Sequence, residues 1–279
     1  MVLTSIFLFS FFIFLFVLFN RSISTNYPSI FTEVKIILFT FLGFALLGVY
    51  DDLNKIFFWK KKAFFGIRLR HKLIIEIILA SIISWWLYSQ LKIDIIHIPF
   101  IGLIKSPFIY LPFATFVIVA FANAVNITDG LDGLSGGVLM IALGGFWAIS
   151  HSFIDVPTSI FIAVWLGGLI AFLYFNIYPA RIILGDTGAL AFGAAYAVVG
   201  LILGKAIALP IIGAVFVIEI TSSFIQLMSK KYLKKKAFAV APFHLWLQYK
   251  GWEEPKIVMR LWLISIIFTI FGLMLAFMK

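Results

Sequence analysis

Long uninterrupted apolar runs dominate this chain, and short polar segments separate them. Runs such as SIFLFSFFIFLFVLF and LWLISIIFTIFGLMLAFM contain almost no polar side chain. A helix needs about 20 apolar residues to cross the hydrocarbon core of a bilayer, whereas a membrane β-barrel would show short segments of alternating polarity. The pattern therefore predicts an all-α fold, a polytopic bundle of transmembrane helices.

About nine runs have the length of a membrane span. They cover residues 3–19, 30–50, 73–91, 109–125, 134–153, 159–177, 190–204, 206–227 and 258–278. Low-complexity linkers, internal repeats and soluble segments of domain size are absent from the sequence. We therefore expect residues 1–279 to form a single integral membrane domain.

Composition agrees with lipid as the main solvent of the chain. Of the 279 residues, 63% are hydrophobic and 12% are charged, and a soluble domain of this length could not bury so much apolar surface. The net charge of +10 is explained by basic loops beside anionic lipid rather than by nucleic acid. The lack of cysteine excludes disulfides and thiolate chemistry.

The basic residues predict which face of the bundle is cytoplasmic. One set of loops holds 16 of the 22 Lys and Arg residues, and loops rich in these residues stay inside the cell. Four polar segments, around Asp51, Asp129, Asp186 and His244, fall on that same face. Since they were not used to assign the orientation, their convergence independently predicts a cytoplasmic active-site cleft.

Adjacent carboxylates, Asp51 and Asp52 of GVYDDLNK, stand where the second predicted span ends. Two such charges repel each other unless a cation offsets them. The pair could bind Mg²⁺ or supply a general base, and a solvated helix end explains it equally well.

A second motif, NAVNITDGLDGLSGG, spaces its polar side chains regularly. Asn123, Asn126, Asp129 and Asp132 recur every three residues, so a helical turn would keep neighbours on one side. The glycines among them allow a ligand to approach the backbone closely. Amides and carboxylates can bind a nucleotide and metal-bound water. This pattern therefore favours a binding site over an ordinary polar loop.

Two further segments complete the group of candidates. Asp186 lies in a Gly-Asp-Thr-Gly turn and could be a helix N-cap, but its position beside the other acids favours a ligand for Mg²⁺. His244 could contact a phosphate, or its amphipathic segment could be an interfacial anchor. Glu76 and Glu219 fall within predicted spans, where a functional role and a helix–helix hydrogen bond are both reasonable explanations.

In this order, the four segments resemble the polyprenyl-phosphate N-acetylhexosamine-1-phosphate transferase superfamily. The pattern NAVNITDGLDGL and the turn GDTG carry the resemblance, and KGWEEPKIVMRLW is similar to its phospho-N-acetylmuramoyl-pentapeptide transferase branch. The resemblance implies a reaction in which undecaprenyl phosphate attacks UDP-N-acetylmuramoyl-pentapeptide, releasing UMP and forming lipid I for peptidoglycan. It also implies a multi-pass protein of the bacterial plasma membrane, with a homodimer as one allowed assembly.

Residue roles follow from the positions that match these motifs. The resemblance implies catalytic roles for Asp51 as the base, Asp52 beside it, Asp186 and His244, the last at the phosphates. Asp186 and Asn126 would hold the Mg²⁺ cofactor. Substrate contacts are implied for Lys55, Asn123, Asn126, Asp129, Asp132 and Asn176.

The sequence departs from the superfamily at three places. One histidine, His244, stands where the family has three in succession, and Ile183 replaces a phenylalanine that stacks on uracil. The family's first span and its Pro-Thr-Met-Gly-Gly segment have no counterpart here. The alternatives are therefore a transferase that uses UDP-N-acetylglucosamine, an inactive scaffold, and a transporter, although a transporter would place its acids near mid-membrane.

Overall fold

The computed structural model describes residues 30–57, 69–98, 102–152 and 155–278. Within these ranges the chain is almost entirely helical, which confirms the predicted all-α class. The helices are α1 (Ile30–Phe57), α2 (Leu69–Ser89), α3 (Pro107–Thr128), α4 (Leu134–Ser152), α5 (Val156–Asn176), α6 (Gly185–Ile202), α7 (Ala208–Ile212), α8 (Ala214–Met228), α9 (Phe243–Tyr249) and α10 (Glu254–Phe277). A π-helical turn, Ser229–Leu233, follows α8.

Seven of these helices, α1 to α6 and α10, are long and apolar enough to cross a membrane. The predicted first span, 3–19, lies outside the described residues. The other predicted spans agree with the helices to within a few residues, with three corrections. Helix α1 continues to Phe57, so that Asp51 and Asp52 lie inside it. Helix α6 begins at Gly185, five residues before the predicted start of that span.

The third correction concerns the eighth predicted span, 206–227, which is two helices. Helices α7 and α8 meet at Gly213. A Cβ atom at Gly213 would lie 2.9 Å from both a ring carbon of Phe121 and the hydroxyl oxygen of Tyr196. The break therefore occurs where the backbone packs directly against two aromatic side chains of neighbouring helices.

A short β-hairpin connects α2 to α3 and was not predicted from the apolar pattern. Strands β1 (Ile95–Ile98) and β2 (Gly102–Lys105) pair in antiparallel register, with Ile95 opposite Lys105 and Ile98 opposite Gly102. It lies at the opposite end of the bundle from the chain segments that hold Asp51, Asp129 and Asp186.

Helix α6 is the centre of the bundle and packs against α1 and α3. Its residues from Gly188 to Leu201 are buried, and many are Gly or Ala, which let helix backbones approach closely in a membrane. A Cβ at Gly193 would lie 2.4 Å from the carbonyl oxygen of Phe121 on α3. On α1, Phe41 packs edge-on against Phe192 with ring centroids 5.2 Å apart. This packing fixes the first turn of α6 between α1 and α3.

The long helices alternate in direction, with α7 and α8 running the same way, so alternate junctions meet at the same end of the bundle. The ends of α1, α3, α5 and α8 and the beginnings of α2, α4, α6 and α10 share one end. Hydrogen bonds across that end join Lys72 to Asp186 and Asp132 to Glu254. The structure thus brings the four polar segments of the sequence to one place.

Candidate active site

An ion-pair cluster joins α1 to the first turns of α2 and α6. Lys72 Nζ lies 3.2 Å from Asp51 Oδ2 and 2.6 Å from Asp186 Oδ2. Lys55 Nζ lies 2.8 Å from Asp186 Oδ1 and 3.5 Å from Asp51 Oδ2. Because Asp51 and Lys72 are buried, these charges depend on one another for compensation.

Asp52 points to the beginning of α6 rather than to the centre of this cluster. Its Oδ2 accepts hydrogen bonds from the Thr187 amide at 3.0 Å and the Thr187 hydroxyl at 2.7 Å. Its Oδ1 lies 3.4 Å from the Asp186 amide and 3.5 Å from Lys55 Nζ. The first amides of a helix have no partner within the helix, so Asp52 caps α6 from a neighbouring helix and holds Asp186 in position.

Close contact between α1 and α6 makes this capping possible. A Cβ atom at Gly48 would lie 2.4 Å from the Asp186 carbonyl oxygen and 2.5 Å from the Thr187 nitrogen. Gly185, just before Asp186, has a φ of +69°, a conformation in which glycine is strongly favoured over residues with a side chain. Both glycines are therefore required by the local backbone geometry.

Asp129 lies at the end of α3 and contacts the same turn. It accepts a hydrogen bond of 2.6 Å from the Ser135 hydroxyl and another from the Gly185 backbone amide. Burial raises the pKa of Asp129 above its usual range, and these two hydrogen bonds partly offset that rise. Asp129 thus joins the loop between α3 and α4 to the turn that carries Asp186.

Asp132 and Asn176 are both predicted to bind substrate. In this structure their hydrogen bonds join the loop between α3 and α4 to the loop between α5 and α6. Asp132 Oδ2 accepts a hydrogen bond from the Ala180 amide, and the Asp132 amide donates one to Glu254. Asn176 accepts from the Gly133 amide and donates to the Ile182 carbonyl. Asn176 is buried and uses both ends of its amide in these contacts. Substrate contacts for the two residues stay predictions.

The two asparagines of α3 have different surroundings. Asn123 donates a hydrogen bond of 2.5 Å to Glu76 of α2. Glu76 lies one helical turn after Lys72 and is completely buried. Asn126 is half-buried, and within the described ranges its side chain has no hydrogen-bonding partner. Its amide is therefore available to a ligand, although no hydrogen bond joins it to Asp186 in that part of the chain.

His244 is held by a buried carboxylate. Its Nδ1 lies 3.0 Å from Glu219 Oε2, and its backbone amide donates to Glu219 Oε1 at 3.1 Å. The opposite ring nitrogen, Nε2, faces Gly130 so closely that a Cβ there would lie 2.4 Å from it. His244 therefore presents Nε2 to the loop that carries Asp129 and Asp132.

An apolar groove of about 520 Å³ reaches the same end of the bundle. Helix α1, helix α6 and residues 182–184 line it, and Thr187 stands at its polar edge. Ile183, which the sequence comparison placed at a uracil-stacking position, is 76% exposed beside it. The groove thus ends beside Thr187, whose amide and hydroxyl donate hydrogen bonds to Asp52.

The structure brings Asp51, Lys55 and Asp186 into one cluster, with Asp52 beside it. Their catalytic, substrate-binding and metal-binding roles stay predictions. Sequence reasoning missed Lys72 as a member, because it stood among many basic loop residues. The signal that could have identified it is its spacing of four residues from Glu76, which places a cation and an acid on one helix face in a membrane span. Glu219 was noticed as an acid within a span, but its partner could not be deduced.

Asp51 and Asp186 are suitable for a divalent cation. Each presents its Oδ2 to the same ammonium group, so the two carboxylates converge on one cationic position. In the described ranges no three His, Asp or Glu residues form a metal-ligand group. Magnesium ions need only one or two carboxylates when water and substrate phosphates complete the shell, so the two residues fit Mg²⁺.

Replacing Lys72 by methionine is expected to destabilise the protein strongly. Methionine keeps much of the side-chain volume but removes the buried cation that both Asp51 and Asp186 contact, and leaves them the partly exposed Lys55 as ammonium partner. Breaking a buried ion pair in this way costs about 3–5 kcal/mol, whereas a Lys55→Met control should lose less than about 1 kcal/mol because Lys55 is partly exposed. Thermal unfolding of both variants in one detergent measures the difference, and equal losses would contradict a buried role for Lys72.

Residues 34–204 match the family model described as glycosyl transferase family 4. This range includes Asp51, Lys72, Asn126, Asp129 and Asp186.

Curated relatives cover most of the chain. A phospho-N-acetylmuramoyl-pentapeptide-transferase of Caldanaerobacter subterraneus subsp. tengcongensis is 40% identical over 232 residues, which are 83% of this chain and 72% of the relative. Proteins of the same name from Clostridium perfringens (strain SM101 / Type A) and Borrelia garinii subsp. bavariensis are 37% and 35% identical, each over 85% of this chain and 72% of the relative.

Proposed function

Because this chain belongs to glycosyl transferase family 4 and to the phospho-N-acetylmuramoyl-pentapeptide transferases within it, we propose that it transfers phospho-N-acetylmuramoyl-pentapeptide from UDP to undecaprenyl phosphate. The products are lipid I, an intermediate of peptidoglycan synthesis, and UMP. The ion-pair cluster of Lys55 and Lys72 with Asp51 and Asp186 is the observation that carries the proposal.

The reaction joins two anions at a membrane surface, and the cluster suits that task. An oxygen of the lipid phosphate forms a bond to the β-phosphorus of the donor, and the bond from that phosphorus to the bridging oxygen breaks, so that UMP leaves. Phosphoryl transfer depends mainly on positioning and on neutralising charge. Lys55 and Lys72 supply two ammonium groups that can exchange carboxylate partners for phosphate oxygens.

Asp51 is the residue we propose as acceptor for a proton carried by the lipid phosphate. It lies within 3.5 Å of both lysines, so an incoming phosphate that draws these cations away makes its carboxylate a stronger proton acceptor. Asp52 serves the same reaction indirectly, because its hydrogen bonds to Thr187 hold the first turn of α6.

The donor set also supports Mg²⁺ as the cofactor. Asp186 and Asp51 would hold the ion, and the half-buried amide of Asn126 is the further ligand that the sequence predicts. A bound Mg²⁺ supplies positive charge that neutralises the pyrophosphate. His244 Nε2, which faces Gly130, and Asp129, the residue before it, would contact the phosphates and the nucleotide.

Seven apolar helices within the described ranges, together with bacterial relatives, make this a multi-pass membrane protein. We propose that it resides in the plasma membrane with the Asp186 cluster facing the cytoplasm, where the soluble nucleotide donor would be available. The excess of basic residues on that face supports this orientation. A homodimer, and about nine spans in total, stay predictions.

The proposal is tested by the release of UMP from purified protein in detergent. The reaction contains Mg²⁺, undecaprenyl phosphate and one UDP-sugar at a time. We expect UMP with UDP-N-acetylmuramoyl-pentapeptide and little with UDP-N-acetylglucosamine. Since Ile183 offers less stacking surface than an aromatic ring, nucleotide binding is expected to be weaker by about 1 kcal/mol, and high donor concentrations should be used.

Opposite results distinguish the alternatives. UMP released only from UDP-N-acetylglucosamine would assign the protein to another sugar-phosphate transferase. No UMP from either donor, with protein that is folded by its thermal unfolding curve, would favour a scaffold or a transporter. The matched control omits undecaprenyl phosphate, because UMP formed without the lipid acceptor would indicate hydrolysis of the donor.

A further inference from the structure

Glu219 places a carboxylate inside the hydrophobic helix α8. It is the one acidic residue between Thr187 and Trp252 in the sequence, and its side chain is completely buried. Acids at such positions are costly in a membrane and tend to be retained where they have a defined partner. In this structure the partner is His244, on the segment that follows α8.

Three contacts join Glu219 to His244. The His244 backbone amide lies 3.1 Å from Oε1 and 3.3 Å from Oε2, and the ring Nδ1 lies 3.0 Å from Oε2. The carboxylate therefore holds both the backbone and the ring, and the ring can rotate only by breaking the Nδ1 contact. His244 itself is 1% exposed, so water cannot readily replace that contact.

The chemistry of a carboxylate decides which ring nitrogen carries a proton. An ionised carboxylate only accepts hydrogen bonds, so the His244 Nδ1 beside Glu219 must donate and carry a hydrogen. The remaining nitrogen, Nε2, is then the one that can gain or lose a proton. It faces Gly130, where even a Cβ atom would lie 2.4 Å away.

We propose that Glu219 is a positioning residue that fixes the tautomer and direction of His244. It keeps Nδ1 protonated and turns Nε2 to the loop that carries Asp129 and Asp132. The identity of the ligand at Nε2, a phosphate of the substrate, rests on the proposed function. The hydrogen bonds by which Glu219 orients the His244 ring do not depend on the proposed function.

A substitution that preserves shape but reverses the hydrogen bonding tests the tautomer. In Glu219→Gln, we expect the amide oxygen to take the Oε1 position, where the backbone contact is the shorter one at 3.1 Å rather than 3.3 Å, and the NH₂ group to face Nδ1 and donate to it. In this orientation the ring carries its hydrogen on Nε2. Nitrogen NMR of ¹⁵N-histidine-labelled full-length protein, at a pH where free imidazole is neutral, reports this directly.

The His244 signals are identified by their loss in a His244→Asn variant. We expect the protonated Nδ1 form in the original protein and the protonated Nε2 form in Glu219→Gln. The same tautomer in both proteins would overturn the proposal. Because this measurement needs no substrate, it remains decisive if UMP release, and with it the proposed function, fails.

Turnover provides a second, independent readout. Residues that orient a functional histidine typically change activity by about 10- to 100-fold, so we expect kcat of Glu219→Gln to fall by roughly that factor with KM changed by less than about twofold. In a His244→Ala background, Glu219→Gln should cause no further loss. If kcat of the double variant fell by the product of the two single-variant factors, Glu219 would act by a route other than His244. That result would overturn the proposal.

Two further variants separate positioning from folding. Glu219→Asp keeps the acceptor but is one methylene shorter, so it should recover part of the kcat lost in Glu219→Gln. Ser223→Ala lies one turn further along α8, at a hydroxyl without a hydrogen-bonding partner in the described part of the chain, and should leave kcat unchanged. A loss in Ser223→Ala equal to that in Glu219→Gln would indicate general disturbance of α8 and contradict the positioning role.

Discussion

An Asp186→Asn variant is expected to remain folded, because Lys72 keeps its ion pair with Asp51, and to lose turnover. Asparagine has the same shape, and the backbone amide of residue 186 can still reach Asp52, so the start of α6 should persist. The charge that holds Lys55 and Lys72 and that would bind Mg²⁺ is removed. Loss of such electrostatic groups commonly costs about 1000-fold or more in phosphoryl transfer.

UMP release at several Mg²⁺ concentrations measures this effect, and thermal unfolding checks the fold. The matched control is Asp52→Asn on the neighbouring carboxylate. Because asparagine caps a helix about as well as aspartate, this control should retain at least about a tenth of wild-type turnover. Near-normal turnover of Asp186→Asn at saturating Mg²⁺ would assign the metal elsewhere, and complete inactivity of Asp52→Asn would give Asp52 a direct catalytic role.

A Gly48→Ala variant is expected to lose activity although it adds only one methyl group. The added Cβ would lie 2.4–2.5 Å from backbone atoms of Asp186 and Thr187, which cannot move aside as a flexible side chain would. Helices α1 and α6 must separate, and Asp51 and Asp52 then shift relative to Asp186. A misplacement of about 1 Å can cost roughly 100-fold in rate, and overpacking costs about 1–3 kcal/mol of stability.

Gly43→Ala on the same helix is the matched control for Gly48→Ala. A Cβ at Gly43 meets the Leu79 side chain at 3.6 Å, an ordinary van der Waals distance. This variant should therefore keep its activity and its unfolding temperature. Similar losses in the two variants would show that α1 tolerates no alanine at glycine positions in general, and would contradict a specific contact at Gly48.

Much of the fold was predictable because lipid selects long apolar runs. The helices in the described ranges begin and end within a few residues of the predicted spans, since hydropathy depends mainly on local sequence. Two exceptions, the later end of α1 and the break at Gly213, involve contacts between helices that are distant in sequence. Helix α1 continues past Tyr50, where Asp51 forms an ion pair with Lys72 of α2 and Asp52 accepts hydrogen bonds from Thr187 of α6. The break at Gly213 depends on contact with Tyr196.

For the candidate site, the location could be predicted from the sequence, but the separate contacts of neighbouring acids could not. The alternation of helices across a membrane implied that Asp51, Asp129, Asp186 and His244 meet at one face, and the ion-pair cluster agrees with that expectation. The distinct tasks of neighbouring acids were not predictable. In the sequence Asp51 and Asp52 look equivalent, yet Asp51 faces Lys72 while Asp52 caps α6, because adjacent helical residues point about 100° apart.

The sequence by itself determined that this chain is a helical membrane protein, which family it resembles, and which face carries its polar motifs. These properties depend on composition, on spacing along one chain and on the count of basic residues. Only the tertiary structure decided that Lys72 joins Asp51 to Asp186 and that Glu219 holds His244. An ion pair between residues 114 positions apart depends on how α2 and α6 pack around a shared end, and hydropathy carries no information about that packing.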